Sequence, residues 1–584
     1  YEHLQFRVFW QDQRAEEYVE YGQYEPQATI TIEPEWRQSE GRTFIRVYAL
    51  GDGKNLNDLL IPLENGKVVN DAAQLTRHDD QAQILYSLMI DRFENGNKKN
   101  DWKMNSPEVL DIVDYQGGDI AGITKKIKDG FFAELGITTI WISPITQNPW
   151  DAWGMNLFPN GNKYDNTKTY TKFSGYHGYW PIFATVVDKR FGTDQELQEM
   201  LATAHAHNMN VVLDYVANHM HINSPTLQQN PDWHTDSILP DGRRNFELWD
   251  EARLTTWFDV HIPTLDLERP EVCSPMTDSA LHWVRNFDFD GYRHDACKHI
   301  PLNYWRMLTH KMKSEMPDRS LWMIGETYGD TELIGSYVKS GMIDSQFDFN
   351  LYHNSRDVIA DPNQSMKLIA ATVEESERAY GSHHTMGNIT GNHDKPRFIS
   401  LAGGDMALGW YDDKAEGWHR EVVVGDMDKG HAGLQLLKAI ISTVPGVPCV
   451  YQGDEYGVPG ANDPDNRDMM TFECENDYQV REFEQTKALF HARRESMPLN
   501  YGDLRTLYVD DQAWVFLRHY MGDWTIVALN VRTDVKTIEV QLPAFAKCGN
   551  LETAVATEGA DVRCLGDGKL EVTLPAYGYI IANK

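Results

Sequence analysis

Within the ten residues 291–300, an arginine and an aspartate stand two apart, Arg293 and Asp295. The run before them, 287–292, alternates aromatic residues with Asp and Gly and reads as the start of a buried strand. Side chains two apart on a strand point to one face. One guanidinium and one carboxylate would then project together from a strand's C-terminal end. A carboxylate kept ionised by a fixed arginine is equipped to act as a nucleophile. The ten residues alone fit a structural ion pair equally well. Three further acids change the balance: Asp214, Glu326 and Asp394 each close a short apolar run. Glycoside hydrolysis uses two carboxyl groups, one as nucleophile and one as an acid that later serves as base. Asp295 and Glu326 lie one strand–helix unit apart, so neighbouring strands would place them roughly 5 Å apart, the spacing of a retaining enzyme. Asp394 would be a third carboxylate facing positive charge at an anomeric carbon.

The elements that must carry these acids are legible as alternation. Strands are expected at 84–90, 138–143, 210–215, 289–295, 321–326, 346–349, 386–394 and 447–451, most of them separated by helical stretches such as 193–207, with another helix at 477–494. Eight strands alternating with helices predict a (β/α)₈ barrel, whose chemistry sits at the strand C-termini. Catalytic residues are expected within 81–497. Two segments are too long for simple barrel loops: 146–178, rich in Asn, Gly, Trp and Tyr, and 216–265, expected to form an inserted subdomain over the barrel mouth. Residues 1–80 carry β signals at 4–10, 28–32 and 43–50 and predict an N-terminal β module. Short strands at 513–519, 524–530, 535–542 and 569–574 predict a C-terminal β-sandwich over 498–584.

Composition narrows the partners. The 584 residues include 54 basic and 87 acidic side chains, a net charge of −33, which argues against nucleic acid or an anionic membrane as the main partner. The 17 Trp and 27 Tyr suit the stacking that sugars need. The six cysteines form no CxxC and no zinc spacing. Cys548 and Cys564 could pair across the small C-terminal β domain or remain free thiols. No apolar run is long enough to span a membrane, and no signal peptide is recognised.

Together these stretches resemble the α-amylase family, glycoside hydrolase family 13, over about residues 84–584. Asp214-Tyr-Val-Ala-Asn218-His219, Gly291 to His299, Gly325-Glu326-Thr327 and Asn392-His393-Asp394 match the family's signature stretches in order, and 136–144 and 446–455 resemble two accessory ones. The resemblance implies Asp295 as nucleophile, Glu326 as acid/base and Asp394 as transition-state stabiliser. It implies substrate contacts from His177, Tyr179 (a stacking platform), His219, Arg293, Lys298, His299 and His393, with Asp463 and Arg467 holding sugars on the non-reducing side. The Lys298-His299 pair is similar to the α-1,4-amylase version. The implied activity is retaining hydrolysis of α-1,4 bonds in starch or maltooligosaccharides. The alternatives are a transglycosylase, a cyclomaltodextrinase or neopullulanase type, and an exo-acting α-glucosidase. An inactive binding scaffold on this fold would lack one of the three acids, and all three are present. Hard oxygen ligands crowd 95–101 and 117–119, which suits Ca²⁺. The spacing is similar to a calcium site of cyclodextrin glucanotransferases and neopullulanases, implying Asn95, Asn97, Asn100, Asp101, the Gly117 carbonyl and Asp119 as ligands. A second family calcium would use Asn218, the His299 carbonyl and an Asp from the subdomain, but Thr264 stands where that Asp is carried. Polymeric glucan and calcium together suggest a secreted or periplasmic protein.

Overall fold

The computed structural model describes residues 5–11, 13–14, 17–21, 28–32, 38–51, 54–409 and 413–584. Eight short strands form its centre: β1 (Leu85–Leu88), β2 (Thr139–Ile142), β3 (Asn210–Tyr215), β4 (Gly291–His294), β5 (Trp322–Gly325), β6 (Ser345–Gln346), β7 (Gly387–Ile389) and β8 (Val447–Tyr451). They pair in parallel in the order β6-β5-β4-β3-β2-β1-β8-β7, and a parallel bridge between Phe347 and Gly387 joins the two ends into a barrel. Every strand residue is buried, as expected where helices cover the outside and side chains fill the inside. The filling includes Leu85, Trp141, Val212, Trp322, Ile324, Ile389, Val447 and Cys449.

Local chemistry sets the element ends. The helix Asp194–Ala206 opens on a capping box between Thr193 and Glu196, a device that contributes about 1 kcal/mol. The strand expected at 346–349 stops at Gln346, because Asp348 accepts from Leu351 N and starts the helix Phe349–Ala360. The strand expected to reach 394 stops at Ile389. Beyond it, Thr390 Oγ1 accepts from Tyr451 N (3.2 Å) and Asn392 Oδ1 accepts from Asp394 N (2.9 Å), so side chains replace the ladder. At Gly291, φ is +151° and a Cβ would lie 1.8 Å from the Trp322 carbonyl oxygen; only glycine lets β4 and β5 approach this closely.

Two excursions rise from the strand C-termini. After β2 the chain pairs Thr146–Gln147 with Phe183–Val187 and Trp153–Leu157 with Tyr170–Phe173. After β3 it runs through a short helix, Pro225–Gln229, and returns by a bridge between His219 and Thr264. At the C-terminus a five-stranded and a three-stranded antiparallel sheet pack face to face over a core including Val515, Ile526, Val540 and Val572. Cys548 and Cys564 are bonded across it. The N-terminal strands include an antiparallel five-stranded sheet, anchored where Leu60 and Val69 pack on Met497, Tyr501 and Tyr520. Residue 4 of the expected first strand lies outside the described residues. Among the described residues no helix is long and apolar enough to cross a membrane.

Candidate active site

The register of β3, β4 and β5 assembles the acids. Asp214 pairs with Arg293, and Arg293 with Ile324; the next step pairs His294 with Gly325. The ladder continues one residue further, through Asp295 N to the Tyr215 carbonyl and Glu326 N to the His294 carbonyl (both 3.1 Å). Asp295 and Glu326 are therefore neighbours on adjacent strand ends. The fully buried Arg293 ties them together. Its Nη1 donates to both Asp214 oxygens (2.9 and 3.0 Å) and to Asp295 Oδ1 (2.9 Å), and Nη2 lies 2.6 Å from Glu326 Oε2. Asp214 also accepts from Trp141 Nε1 (3.0 Å) and the Tyr179 hydroxyl (2.7 Å). It braces the arginine from behind and is fully buried, outside the reach of substrate.

Three carboxyls against one guanidinium shape the electrostatics. Burial pushes the Asp295 carboxyl well above the usual range; Arg293 opposes this, and Glu326 and Asp214 add to it. Burial likewise raises Asp214 against the pull of Arg293 and the Tyr179 hydroxyl. At Asp295 burial outweighs the pull of Arg293, where the two-residue pair alone pointed to a carboxyl kept ionised.

Asp394 sits across the cleft with its side chain 44% exposed. Burial would raise its pKa, but His393 and Arg467 win and hold it well below the usual carboxylate range. Arg467 Nη2 donates to Asp394 Oδ1 (2.7 Å), and Nη1 pairs with Asp463 Oδ1 (2.9 Å). Arg467 Nε also donates to the His393 carbonyl (2.8 Å). Asp463 and Arg467 are thus one locked pair at the Asp394 side.

Rings line the floor. Tyr179 stacks on His393, centroids 5.1 Å apart, and on His177, 5.8 Å apart. Tyr179 N donates to His177 Nδ1 (3.0 Å). Burial, then Arg467 and His393, keep the His177 pKa well below its ordinary value, so the neutral ring carries its proton on Nε2. Burial lowers His219 to about 4. Its Nε2 contacts the Tyr179 carbonyl (3.0 Å) and its Nδ1 contacts Asn218 Nδ2 (3.4 Å), so this ring fastens the platform. On the Glu326 side, Lys298 Nζ pairs with the exposed Asp250 (2.5 Å). His299 packs against Phe258 and Trp249 at 4.9 and 5.6 Å between centroids.

All twelve expected catalytic and substrate-contact residues but the buried Arg293 line one cleft of ≈ 700 Å³. The cleft also takes in Trp180, Glu247, Trp249, Tyr328, Lys414 and Trp418, which sequence reasoning missed. They come from the excursions, the turn after β5 (Tyr328) and the segment after β7, and only the aromatic ones had a signal, the enrichment in rings.

The loop after β1 gathers most of the expected calcium set. Asn95 Nδ2 donates to Asp101 Oδ1 (2.8 Å), and a Cβ on Gly117 would come within 2.7 Å of that nitrogen and 3.0 Å of that oxygen. The Asn95 and Asn100 amide oxygens are buried without a hydrogen-bond partner, the state expected of ligands to a hard cation. Asp119 has a second role: its oxygens accept from Gly96, Asn97 and Gly122 N–H (3.1, 2.8 and 2.7 Å) and cap the helix Ile120–Lys128. The Asn97 side chain turns away, donating to Glu196 (3.0 Å) and accepting from Lys99 N (3.2 Å). Among the described residues no three His, Cys, Asp or Glu side chains form a metal cluster; the fit here rests on amide and carbonyl oxygens with two carboxylates.

A family profile described as "Alpha amylase, catalytic domain" matches residues 87–538. A cyclomaltodextrin glucanotransferase of Geobacillus stearothermophilus is 25% identical over 496 residues, 81% of this chain and 63% of its own length. The chain thus spans under two thirds of that relative. A cyclomaltodextrinase of Thermoanaerobacter pseudethanolicus is 27% identical over 470 residues, covering 76% of this chain and 70% of that one. The structure of an α-amylase from Geobacillus thermoleovorans complexed with acarbose aligns with a TM-score of 0.67 at 27% identity, over 86% of this chain and 98% of that one. With its barrel, its acids at adjacent strand ends and the profile across most of its length, the chain belongs to the α-amylase family.

Proposed function

We propose that the protein is a retaining hydrolase of α-1,4-linked glucans or maltooligosaccharides. One observation carries this: Asp295 and Glu326 share the guanidinium of Arg293, with the ionised Asp394 opposite. In the first step Asp295 bonds to the anomeric carbon while the glycosidic C–O bond breaks and Glu326 delivers its proton to the leaving oxygen. In the second, Glu326 takes a proton from water, water bonds to the carbon, and Asp295 leaves. Asp394 opposes the positive charge that develops on the ring. His177 and His393 offer hydrogen bonds to the cleaved sugar, with His219 holding the Tyr179 platform beneath it. Lys298 and His299 serve the leaving side, and Asp463 with Arg467 the other. A sugar acceptor in place of water would give transglycosylation by the same steps. The direct test is ¹H NMR of maltoheptaose digestion: the first reducing ends should be α-anomers, and β-anomers would sink the proposal.

A second reading has its own support. On the Asp394 side the cleft meets Trp418, which packs against Phe158 (4.6 Å) and Tyr164 (5.7 Å between centroids) of the β2 excursion. Lys163 N donates to the Trp418 carbonyl (2.8 Å), and Lys414 stands 3.5 Å from Asp463. Such a wall favours short substrates cut a fixed distance from the chain end. The same digestion reads this out: one short product from the start, broadening to mixed lengths in Trp418→Ala. A mixed ladder from the native protein would reject it.

The proposal includes one Ca²⁺ held by Asn95, Asn100, Asp101 and the Gly117 carbonyl, with Asp119 ordering the loop. Chelation should lower the melting temperature by several degrees in the native protein and by under one degree in Asp101→Ala, about the effect of 1 kcal/mol in a large domain. An unchanged native melting temperature would remove the ion. The Cys548–Cys564 bond supports a secreted or periplasmic location.

A further inference from the structure

We infer that Arg253 does the work of a bridging cation between the 216–265 excursion and the turn after β4, and that it thereby positions Glu326. The second family calcium does not fit this chain. A divalent cation there needs anionic oxygen. The Thr264 hydroxyl instead donates to the Thr256 carbonyl (2.5 Å) and accepts from Asn218 Nδ2 (3.3 Å). What remains of the expected set is neutral: the His299 carbonyl and Asn218 Oδ1, the latter buried without a partner. No step of the mechanism is routed through a metal at this place.

A guanidinium from the same excursion spans the gap. Arg253 Nη1 donates to the Lys298 carbonyl (2.7 Å) and to the Tyr337 hydroxyl (3.0 Å). The Tyr337 hydroxyl donates to the same carbonyl (3.1 Å). The Arg253 carbonyl in turn accepts from His299 Nδ1 (2.7 Å), whose ring burial holds neutral with a pKa of about 4. Arg253 therefore grips the turn Cys297–His299 at two consecutive residues, one through its side chain and one through its backbone.

That turn touches Glu326 twice. Lys298 N approaches the Glu326 carbonyl (3.4 Å), and Ala296 N donates to Glu326 Oε2 (3.3 Å). Ala296 has φ +49°, a left-handed conformation that is unfavourable for a side chain larger than glycine's and persists where neighbours over-determine it. Arg253 supplies that constraint from outside the barrel. Loosening it frees one of the two groups that aim Glu326 Oε2, the other being Arg293 Nη2, and leaves the Arg293–Asp295 contact in place. Arg253 is a positioning residue, not a catalytic one.

The inference rests on Glu326 being the acid, and the test separates the two. The substrates are maltoheptaose, whose leaving oxygen needs a proton, and α-maltosyl fluoride, whose leaving fluoride does not. Arg253→Met should lose about 10- to 100-fold in kcat/KM on maltoheptaose, the cost of a misplaced group, with under about 3-fold loss in kcat/KM on the fluoride, since this ratio reports the first step alone and not the shared second step in which Glu326 is the base. Arg253→Lys, which keeps the charge without the fork, should recover only part of the loss. Added guanidinium should restore Arg253→Met, and excess calcium should not. Equal losses on both substrates, no loss on either, or rescue by calcium would overturn the inference. Glu326→Gln run alongside should show the same substrate split, more strongly. If it does not, the acid assignment fails, whatever Arg253 does. Circular dichroism of both Arg253 variants checks that they are folded.

Discussion

Asp295→Asn should lower kcat on maltoheptaose about ten-thousand-fold or more, the scale seen when a covalent nucleophile is removed, while the protein melts no earlier than the native form at pH 7. The second half of that expectation gives the first its meaning. The amide oxygen of Asn can still accept from Arg293 Nη1, so the 2.9 Å contact survives, but the amide cannot bond to the anomeric carbon. A mere structural ion pair predicts the reverse: activity little changed and stability reduced. The sign follows from the environment. Burial raises the folded-state pKa of Asp295, so its protonated form favours folding and that contribution is lost as pH rises through the folded value. At pH 7 the native carboxylate is a burden on stability, and an uncharged amide removes it. Thermal melts from pH 4 to pH 8 should therefore fall less steeply for the variant. A variant that melted several degrees lower at pH 7 with near-native activity would return Asp295 to a structural role.

The parts of this site that could be read from the chain are those fixed by strand register. Asp214, Arg293, Asp295 and Glu326 lie on or beside three consecutive strands, and strand periodicity dictates which side chains share a face. Asp394 was legible as an acid but not as part of a loop, because Thr390 and Asn392 side chains take the backbone N–H groups of Tyr451 and Asp394. Asp119 was legible as an oxygen ligand, yet its closest duties are to three backbone N–H groups, two in the loop after β1 and one at a helix start. Trp418 and Arg253 were not legible at all. Trp418 lies on the short helix Asp413–His419 and reaches the cleft only by packing on the β2 excursion, and Arg253 meets the turn after β4 only because the β3 excursion folds over it. The buried, unprotonated state of His219 and His299 is equally a product of tertiary burial. Motif spacing locates such residues but says nothing of their charge.

Arg293 carries the other large expected effect, and it acts on stability as much as on rate. Its guanidinium is fully buried and neutralises part of three carboxyls. Arg293→Met fills a similar volume but leaves Asp214, Asp295 and Glu326 without their cation. Removing one partner of a buried ion pair costs about 3–5 kcal/mol, here at neutral pH. The pH dependence identifies the cause. Without the arginine, the counter-charge that lowers Asp214 and Asp295 is gone, so their folded-state pKa values rise further above the unfolded ones. A carboxyl with a raised folded pKa contributes stability that is present below its unfolded pKa and is lost as pH rises through its folded one. The deficit of Arg293→Met relative to the native protein should accordingly be largest near pH 8 and shrink as the pH falls towards 4, where Asp214 and Asp295, with their raised pKa values, take up protons and no longer need a cation. A packing defect would show a deficit independent of pH. Differential scanning calorimetry at four or five pH values separates the two. Activity gives the matching check: the variant should be inactive on maltoheptaose at every pH at which it is folded, because neither the nucleophile nor the acid keeps its place once the shared guanidinium is removed.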